Sequence, residues 1–423
     1  MITYHQHCRV CKNSLDQNPV VDLGYHFLHG SFVYNDTTLS KRKTPVHLLF
    51  CNPRDGGCGL LQLSTSLDPA ILYNQYGYRS SINEKMTVHL SNLVKNIISH
   101  PKLKINKVLD IGQNDGFLLS CYADSVQKVG VDPCDAGLKS NIKISNHTFI
   151  NECYPSELLQ SEKFDVITCI AMFYDLNNPV FVAKKIKENL NTNGVAIIEV
   201  SYWPDKMAKN AIDECCQEHV CYYSLTTLEQ VFKKAGLCIF NVFKNDINGG
   251  SIQVWLTHKE NNPFYNKENQ QKINAIKIQE FNAQLDDYLT YLLFSNKIHS
   301  EKQKIQEFFN SNKNKKIHLY GASTKSNVAI QFWGLNNSQI QYAAERNIDK
   351  IGARTLGTNI PIISEQESRN LKPNYYFCLI WGFMKEVLLR EKDYIMNGGA
   401  FVFPIPALKI ITKDNYENAL KDL

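Results

Sequence analysis

The sequence predicts an α/β protein in which mostly parallel sheets carry helices on both faces. From residue 107 onward, short apolar segments typical of strands alternate with segments typical of helices, and the alternation returns in the C-terminal third. The first 65 residues differ, because they are rich in cysteine, histidine and glycine. We therefore expect an N-terminal module at 1–68, a first α/β domain at 69–260, and a helical connector with a smaller α/β domain at 261–423.

The composition is that of an ordinary globular protein. The chain has 423 residues, of which 43% are hydrophobic and 21% charged, and its formal net charge is +5. The densest basic run, at 313–316, is interpreted as a solvated loop, so we expect no nucleic-acid partner. Because neither an apolar run of about 18 residues nor a secretory signal is present, we expect no membrane partner and a cytoplasmic protein. The 13 cysteines are then expected to be thiols and metal ligands rather than disulfides.

Apolar periodicity places the elements of the first domain. A helix is expected from Pro69 to about His100, with one apolar face. That face is formed by Leu90, Leu93, Val94, Ile97 and Ile98. The expected strands are Lys107–Ile111, Lys128–Val131, Phe164–Cys169, Gly194–Val200, Ile239–Phe243 and Ser251–Leu256.

The region at 259–316 is expected to hold one or two amphipathic helices. Their apolar positions are Ile273, Ile276, Phe281, Leu285 and Leu289. The C-terminal strands are expected near 316–320, 340–343, 375–380 and 400–404. Two units of this kind in one chain raise the possibility of a duplication.

The most informative segment is the turn after the first strand, Leu109-Asp-Ile-Gly-Gln-Asn-Asp-Gly116. It supplies Asp110, Gly112, Asn114, Asp115 and Gly116, and the next strand ends in an acid, Asp132. Glycines let the backbone approach a ligand, and an acid about 20 residues on can hold a ribose diol. The spacing is Gly-x-x-x-Gly rather than Gly-x-Gly-x-x-Gly. It looks like the S-adenosylmethionine (SAM) site of a class I (Rossmann-like) methyltransferase rather than a dinucleotide site; an ordinary βαβ turn is the alternative.

Four cysteines predict a zinc-binding module. Cys8 and Cys11 form a C-x-x-C knuckle, and Cys51 and Cys58 follow about 40 residues later. Four thiolates from two loops suit a closed, structural Zn²⁺ site. The alternatives are reduced cysteines in a small core or a redox pair, although no βαβ pattern surrounds the knuckle.

A candidate catalytic segment follows the strand that ends near Glu199. Glu218 and His219 lie there, with Tyr223 close behind, and histidine is the usual general base near neutral pH. The alternative is a surface histidine. A second aromatic cluster includes Tyr76 and Tyr78, whose side chains can pack on a sulfonium or hydrogen-bond a sugar. Packing between domains is the alternative.

Together these motifs resemble the sugar C-methyltransferases of deoxysugar biosynthesis over nearly the whole chain. The matching stretches are the cysteine module, Tyr76-Gly-Tyr-Arg-Ser-Ser81, the SAM motif, Glu218-His219, Gly249-Gly-Ser251 and Tyr320-Gly-Ala-Ser-Thr-Lys-Ser-Asn327. The sequence departs from the family at Cys216 and Gln217, where the family has tyrosine and histidine.

The resemblance implies a reaction on a nucleotide-linked 4-keto-6-deoxy sugar. His219 would remove the C-3 proton, Glu218 would orient the base or contact the sugar, and Tyr76, Tyr78 and Tyr223 would hold the ketone or hydroxyls. Lys325 and Asn327 would contact the nucleotide. The alternatives are an O- or N-methyltransferase on another small molecule, and a non-catalytic zinc-containing scaffold with a vestigial SAM pocket.

Overall fold

The computed structural model describes residues 2–34, 42–73 and 78–423. Tyr76 lies outside these ranges. None of the helices within them is long and apolar enough to cross a membrane.

The N-terminal module is built from short strands that place two cysteine loops side by side. Its elements are β1 (Ile2–Tyr4), β2 (Val21–His26), β3 (Phe32–Val33), β4 (Thr44–Phe50), β5 (Leu61–Leu63), β6 (Thr65–Leu67) and α1 (Pro69–Tyr73). The strands β2, β4 and β5 are antiparallel neighbours. The module is therefore a small sheet, with the cysteine loops next to its central strands.

The first α/β domain is a seven-stranded sheet covered by helices. Its elements are α2 (Glu84–Ile98), β7 (Lys107–Ile111), α3 (Phe117–Ser120), β8 (Gln127–Val131), β9 (His147–Ile150), β10 (Phe164–Ile170), α4 (Pro179–Asn189), β11 (Leu190–Ser201), α5 (Trp203–Ala208), β12 (Cys221–Tyr222), α6 (Leu225–Ala235), β13 (Leu237–Asn245) and β14 (Ser251–His258). The strand order is β9-β8-β7-β10-β11-β14-β13. The strand β14 pairs antiparallel with both β11 and β13, and the other strand pairs of this sheet are parallel. The strand β7 is central, so its carboxyl end lies where the strand order reverses, which is the usual ligand edge of such a sheet.

The C-terminal region repeats this arrangement in a smaller sheet. Its elements are α7 (Lys267–Asn282), α8 (Tyr288–Ser311), β15 (Ile317–Tyr320), α9 (Thr324–Trp333), β16 (Tyr342–Glu345), β17 (Arg354–Thr355), β18 (Ile362–Ser364), α10 (Glu365–Asn370), β19 (Tyr375–Cys378), α11 (Met384–Arg390), α12 (Lys392–Met396), β20 (Ala400–Phe403), β21 (Lys409–Ile411) and α13 (Tyr416–Lys421). The order β18-β16-β15-β19-β20-β21 is the 3-2-1-4-5-6 order of a doubly wound fold.

Two short strands tie the three parts together. The strand β12, which directly follows His219, pairs with β5 and completes the sheet of the N-terminal module. The strand β17 of the C-terminal region pairs with β3 of the same module. The N-terminal module therefore contacts both α/β units.

Three expectations about helices needed correction. The helix expected from Pro69 to His100 is not continuous, because α1 ends at Tyr73 and α2 begins at Glu84, after the Asn83 side chain caps the backbone N–H of Met86. Ile98 is 52% exposed and lies outside the apolar face. Phe281 and Leu289, expected on the buried face of the connecting helices, are 73% and 58% exposed.

Candidate active site and metal centre

The four module cysteines converge. Their sulfur atoms all lie within 4.8 Å of one another, and none forms a disulfide. A tetrahedral Zn²⁺ with Zn–S bonds of about 2.3 Å requires S···S separations of about 3.8 Å. The Sγ distances of 3.5 Å for Cys8–Cys58 and 3.3 Å for Cys11–Cys51 are close to that requirement. The donor set of Cys8, Cys11, Cys51 and Cys58 therefore fits the predicted structural zinc.

Backbone N–H groups add to this fit. The amide of Val10 donates to Cys8 Sγ at 3.4 Å, and the amide of Cys58 donates to Cys51 Sγ at 3.3 Å. Such donors favour the thiolate form that a metal requires. All four protein ligand positions are filled by cysteine, so the site is closed and its role is in folding.

The turn after β7 depends on two glycines with positive φ. Gly112 has φ 76° and Gly116 has φ 82°. A Cβ at Gly112 would lie 2.9 Å from Met172 Cγ, and one at Gly116 would lie 2.6 Å from Ile144 Cδ1. Side chains at these positions would strain the backbone and close the turn. The geometry therefore fits the close approach of a ligand to the backbone.

Asp110 is held beneath this turn. It is 3% exposed, and Thr168 Oγ1 donates to its Oδ1 at 2.6 Å. Burial, and to a lesser extent the charge of Asp132, raises the pKa of Asp110 to about 7, whereas the bond from Thr168 opposes this shift. Asp110 is thus a buried carboxyl in the floor of the turn.

Asp132 ends β8 beside the same turn. Its two carboxylate oxygens accept the backbone N–H groups of Asn114 and Cys134, both at 2.8 Å. A carboxylate has about four acceptor sites, so two remain for hydroxyl groups. This arrangement fits a ribose diol.

The side chains of Asn114 and Asp115 bind the backbone of the segment that follows the aromatic cluster. Asn114 Oδ1 accepts from the backbone N–H of Ser80 at 2.9 Å, and Asp115 Oδ2 accepts from that of Ser81 at 2.9 Å. These bonds hold the segment after the aromatic cluster against the turn. Direct contact of the two residues with SAM stays a prediction.

Sequence reasoning missed Gln113. Its side chain lies on Gly130 of β8, where a Cβ would be 1.6 Å from Oε1, and the same oxygen is 2.9 Å from His147 Nε2. The signal was a glycine in the middle of an apolar strand, which marks close packing from above.

Tyr78 lies next to the turn. The residue is 41% exposed, yet burial of its hydroxyl and the charge of Asp115 raise its pKa to about 12, whereas a side-chain hydrogen bond with Ser80 and the charge of Lys325 oppose this shift. The hydroxyl therefore stays protonated at neutral pH and can donate a hydrogen bond.

His219 is anchored at one ring nitrogen. Nδ1 is 3.0 Å from the carbonyl oxygen of Glu214 and 3.5 Å from its Oε2. The ring of Tyr174 lies 4.2 Å away, centroid to centroid, and the His219 side chain is 14% exposed. A carbonyl only accepts, so Nδ1 carries the proton and Nε2 has the free lone pair. Burial lowers the pKa of His219 to about 4, so the ring is neutral at pH 7.

Beneath His219 lies a cluster that the sequence did not reveal. The buried carboxylate of Glu214 accepts from Lys206 Nζ at 2.9 Å, from Ser201 Oγ at 2.9 Å, and from Lys325 Nζ. The neighbouring Asp213 accepts from Trp381 Nε1 at 3.0 Å. The only sequence signal for this cluster was the pair Asp213-Glu214, close to the predicted base. Lys325 and Trp381, which bind this pair, are far away in sequence.

Glu218 faces the loop after β2. It is 4% exposed, its Oε2 has no hydrogen-bond partner among the described residues, and a Cβ at Gly30 would lie 2.5 Å from its Oε1. Asp175 is a second buried acid with one unpartnered oxygen, Oδ1, while Tyr73 donates to its Oδ2 at 3.2 Å. Burial raises the pKa of both carboxyls, and the charge of Glu218 adds to the rise at Asp175. Unpartnered buried acceptors of this kind are suited to a polar ligand.

Two further residues of the candidate segment differ in their contacts. Tyr223 is fully buried and its ring packs on Phe173, but its hydroxyl has no hydrogen-bond partner among the described residues. Gln217 bonds the loop at 27–29: its Nε2 donates to Phe27 O, and its Oε1 accepts from His29 N, both at 3.1 Å.

The two residues expected to contact a nucleotide are also engaged. Asn327 is fully buried and its Nδ2 donates to His29 O at 2.7 Å, whereas its Oδ1 has no hydrogen-bond partner among the described residues, so contact with a nucleotide stays a prediction. Lys325 reaches Glu214, as described above.

Comparisons with known proteins agree with this geometry. Family models match three consecutive parts of the chain: "Putative zinc binding domain" at residues 8–73, "Methyltransferase domain" at 81–241 and "C-methyltransferase C-terminal domain" at 246–406. The chain has a SAM-dependent methyltransferase fold preceded by a putative zinc-binding domain, and the region after that fold matches the model of a C-methyltransferase C-terminal domain. Its cofactor is SAM, and its N-terminal cysteine cluster is the zinc-binding part.

Individual proteins are similar to this chain over different lengths. The C-methyltransferase NovU of Streptomyces niveus is 25% identical over 425 residues, covering 96% of this chain and 97% of that protein. A tRNA U34 carboxymethyltransferase of Sulfurimonas denitrificans is 24% identical over 43% of this chain and 67% of its own length. The structure of a SAM-dependent methyltransferase from Clostridium acetobutylicum aligns at 15% identity over 41% of this chain and 92% of that chain, with a TM-score of 0.33.

Proposed function

We propose that this protein transfers a methyl group from SAM to a carbon of a nucleotide-linked 4-keto-6-deoxy sugar, at C-3, with His219 as the base. The observation that carries the proposal is the state of His219: Nδ1 is bonded to a carbonyl and Nε2 is left without a partner among the described residues. The relative that spans nearly the whole chain is named a C-methyltransferase, which favours carbon as the acceptor.

Methylation at carbon needs a carbanion-like acceptor. A C–H next to a ketone supplies one, because its proton can be removed while the electron pair spreads onto oxygen as an enolate. Nε2 of His219 takes that proton, and the enolate carbon then forms a bond to the methyl carbon. SAM supplies this methyl group, and the electrons of the broken C–S bond remain on sulfur.

Other residues of the chain would hold the sugar. Tyr78 stays protonated at neutral pH, so its hydroxyl can donate to the ketone or enolate oxygen. The free oxygens of Glu218 and Asp175 can accept sugar hydroxyls, which would satisfy two buried acceptors. These roles fit a small polyhydroxylated substrate better than an apolar one.

The substrate class is tested with a panel of nucleotide-linked 4-keto-6-deoxy sugars incubated with SAM. We expect one methyl group on one sugar class, located at C-3 by carbon–proton correlation spectra. A panel without turnover, or a product methylated at oxygen or nitrogen, would contradict the proposal.

The base is tested separately in heavy water. Wild-type protein is expected to exchange the C-3 hydrogen, and His219→Asn should lower turnover by roughly 10²–10⁴-fold, the usual effect of a positioned base, and abolish exchange. SAM affinity should change little. His299→Asn is the matched control, because that histidine is exposed and also has Nδ1 near a backbone carbonyl, 2.8 Å from Ser295 O. Near-normal exchange in His219→Asn would exclude His219.

A further inference from the structure

The cluster beneath His219 joins the base to the C-terminal domain. Glu214 is 1% exposed, and its carboxylate binds Lys206 of α5 and Lys325 at the start of α9. Ser201 donates to the other carboxylate oxygen at 2.9 Å. A buried ammonium group, Lys206, and a partly exposed one, Lys325, thus share one buried carboxylate, and Lys325 comes from the second α/β unit.

Glu214 also controls the ring of His219 through its backbone. Its carbonyl oxygen is 3.0 Å from Nδ1, and its Oε2 is 3.5 Å from the same nitrogen. Both atoms are acceptors, so both favour a proton on Nδ1 and leave Nε2 unprotonated. A base in the opposite tautomer would present a proton where it has to accept one.

The C-terminal domain holds the same short segment at a second point. Trp381 donates from Nε1 to Asp213 at 3.0 Å, next to the contact between Lys325 and Glu214. Lys206 also donates to the carbonyl oxygen of Asn248, in the hairpin before β14. The segment at 212–219, which carries the base, is therefore fixed by the docked C-terminal domain rather than by its own domain alone.

We propose that Glu214 is the positioning residue of His219 and that Lys325 brings the C-terminal domain into control of the base. This inference rests on the proposed function, in which His219 removes the substrate proton. It assigns the second α/β unit a role in the proton-transfer step. By binding the carboxylate of Glu214, Lys325 sets how strongly that carboxylate acts on His219.

The charges around His219 predict the direction in which each substitution should shift its pKa. Burial lowers the pKa of the ring, the charge of Glu214 raises it, and Lys325 and then Lys206 lower it. Glu218 adjoins the ring in the chain, and Asp213 acts on Lys325. The uncharged ring of Tyr174 packs on the remaining side.

Two variants should therefore move the titration of His219 in opposite directions. Glu214→Gln removes the carboxylate that binds both lysines and should lower the pKa of His219. Lys325→Met should raise it, by roughly one unit or more. The charge-compensated double variant, Glu214→Gln with Lys325→Met, should return the pKa toward the wild-type value. A purely structural role does not predict opposite signs or this compensation.

The measurement is a titration of the His219 ring by NMR in histidine-labelled, full-length protein, assigned with His219→Asn. Nitrogen shifts at neutral pH should show the Nδ1–H tautomer in the wild type. The matched control is Glu280→Gln. Glu280 is also buried, at 4% exposure, but it bonds Tyr202 and the start of α6. This variant should alter stability without moving the His219 signal.

The NMR experiment tests the positioning role of Glu214, and the hydrogen-exchange experiment tests the proposed function, so failure of one can be told from failure of the other. Shifts of the same sign in the two single variants, or an Nε2–H tautomer in the wild type, would overturn the positioning role whether or not a substrate is known. Absence of C-3 exchange by the wild type would overturn the proposed base while the NMR result stands. Where exchange occurs, Glu214→Gln should slow it roughly 10-fold or more at saturating substrate, because the base is weaker.

Discussion

The two α/β units of this protein have similar topology, but the carboxyl edge of the sheet is built differently in each unit. In each, the first strand is central and a turn with a positive-φ glycine follows it: Gly112 after β7 and Gly321 after β15. In each, the second strand ends in or next to an acid, Asp132 in the first unit and Glu345 in the second. The sequence pattern of a nucleotide-binding turn thus occurs twice.

The units differ two residues before the glycine. The first has Asp110 there, buried and bonded to Thr168, and the second has Leu319, which is fully buried. A carboxyl in the floor of one turn and a methyl-bearing side chain in the other give the two edges different chemistry.

The acids differ as well. Asp132 accepts two backbone N–H groups and keeps acceptor sites for a ligand. Glu345 accepts three, from Ala322, Arg346 and Asn347, within its own loops. Lys350 donates to Ala322 O at 2.8 Å across the same turn. The second edge is therefore filled by its own loops, and its Lys325 extends to the first unit. Similar topology does not imply a similar ligand.

The largest expected effect is that of removing zinc, which should unfold the N-terminal module while the central strands of the C-terminal sheet stay folded. Metal analysis should find about one zinc per chain, from one four-cysteine site. Chelation or Cys51→Ser should unfold the module and increase amide exchange in β4, β5 and β12, while the central strands β15 and β19 stay protected. The reason is that zinc binding supplies folding free energy to such modules, on the order of 10 kcal/mol. Cys153→Ser, at an exposed cysteine, is the control and should keep the metal. Protein that contains no zinc would contradict the prediction.

The second expected effect tests the buried carboxyl of the first turn. Folding raises the pKa of Asp110 from its ordinary 3.8 to about 7, so the folded state binds more protons than the unfolded state between these values. Stability should therefore fall as pH rises from about 4 to about 7. The full rise corresponds to about 4 kcal/mol.

Asp110→Asn should remove this part of the pH dependence, since an amide does not ionise. Thermal unfolding midpoints of the SAM-free protein at pH 5 and pH 7.5 test this. We expect the gain in midpoint from Asp110→Asn to be larger at pH 7.5. An equal difference at both values would show that Asp110 does not titrate in this range.

The smallest effect compares the two acids directly. Asp132→Ala should weaken SAM binding by about 2–3 kcal/mol, the effect of losing charge-assisted bonds to hydroxyls. Glu345→Ala should leave SAM affinity unchanged, because Glu345 lies at the other edge. Calorimetric titration with SAM measures both. Equal losses would show that the pocket belongs between the units rather than in the first turn.

The sequence predicts the regular parts of this fold well. The strand Lys107–Ile111 has the same bounds in the structure, and the strands expected at 128–131 and 164–169 differ by one residue. Continuous apolar runs are characteristic of buried parallel strands, so their positions are visible without a partner. The strand β9 was missed because only one of its four residues, Ile150, is buried, which leaves no apolar run.

The sequence predicted those site residues that lie close together in the chain or belong to a residue type with a recognisable motif. The cysteines and the glycine turn belong to this class. The partners of His219 do not, since Glu214 and Lys325 are 111 residues apart and carry ordinary surface-type side chains. Their contact depends on how two sheets pack, and no local periodicity encodes that.

The strand β12 has a consequence for how the chain is made. The sheet of the zinc module uses residues 221–222, so its edge stays open until these residues, more than 150 positions after β5, have left the ribosome. The four cysteines are available once Cys58 has emerged, and metal binding can therefore precede closure of that edge. Sequence-distant pairing of this kind raises contact order and slows folding. The N-terminal module should thus be an early, metal-loaded intermediate onto which the segment beyond His219 folds during synthesis.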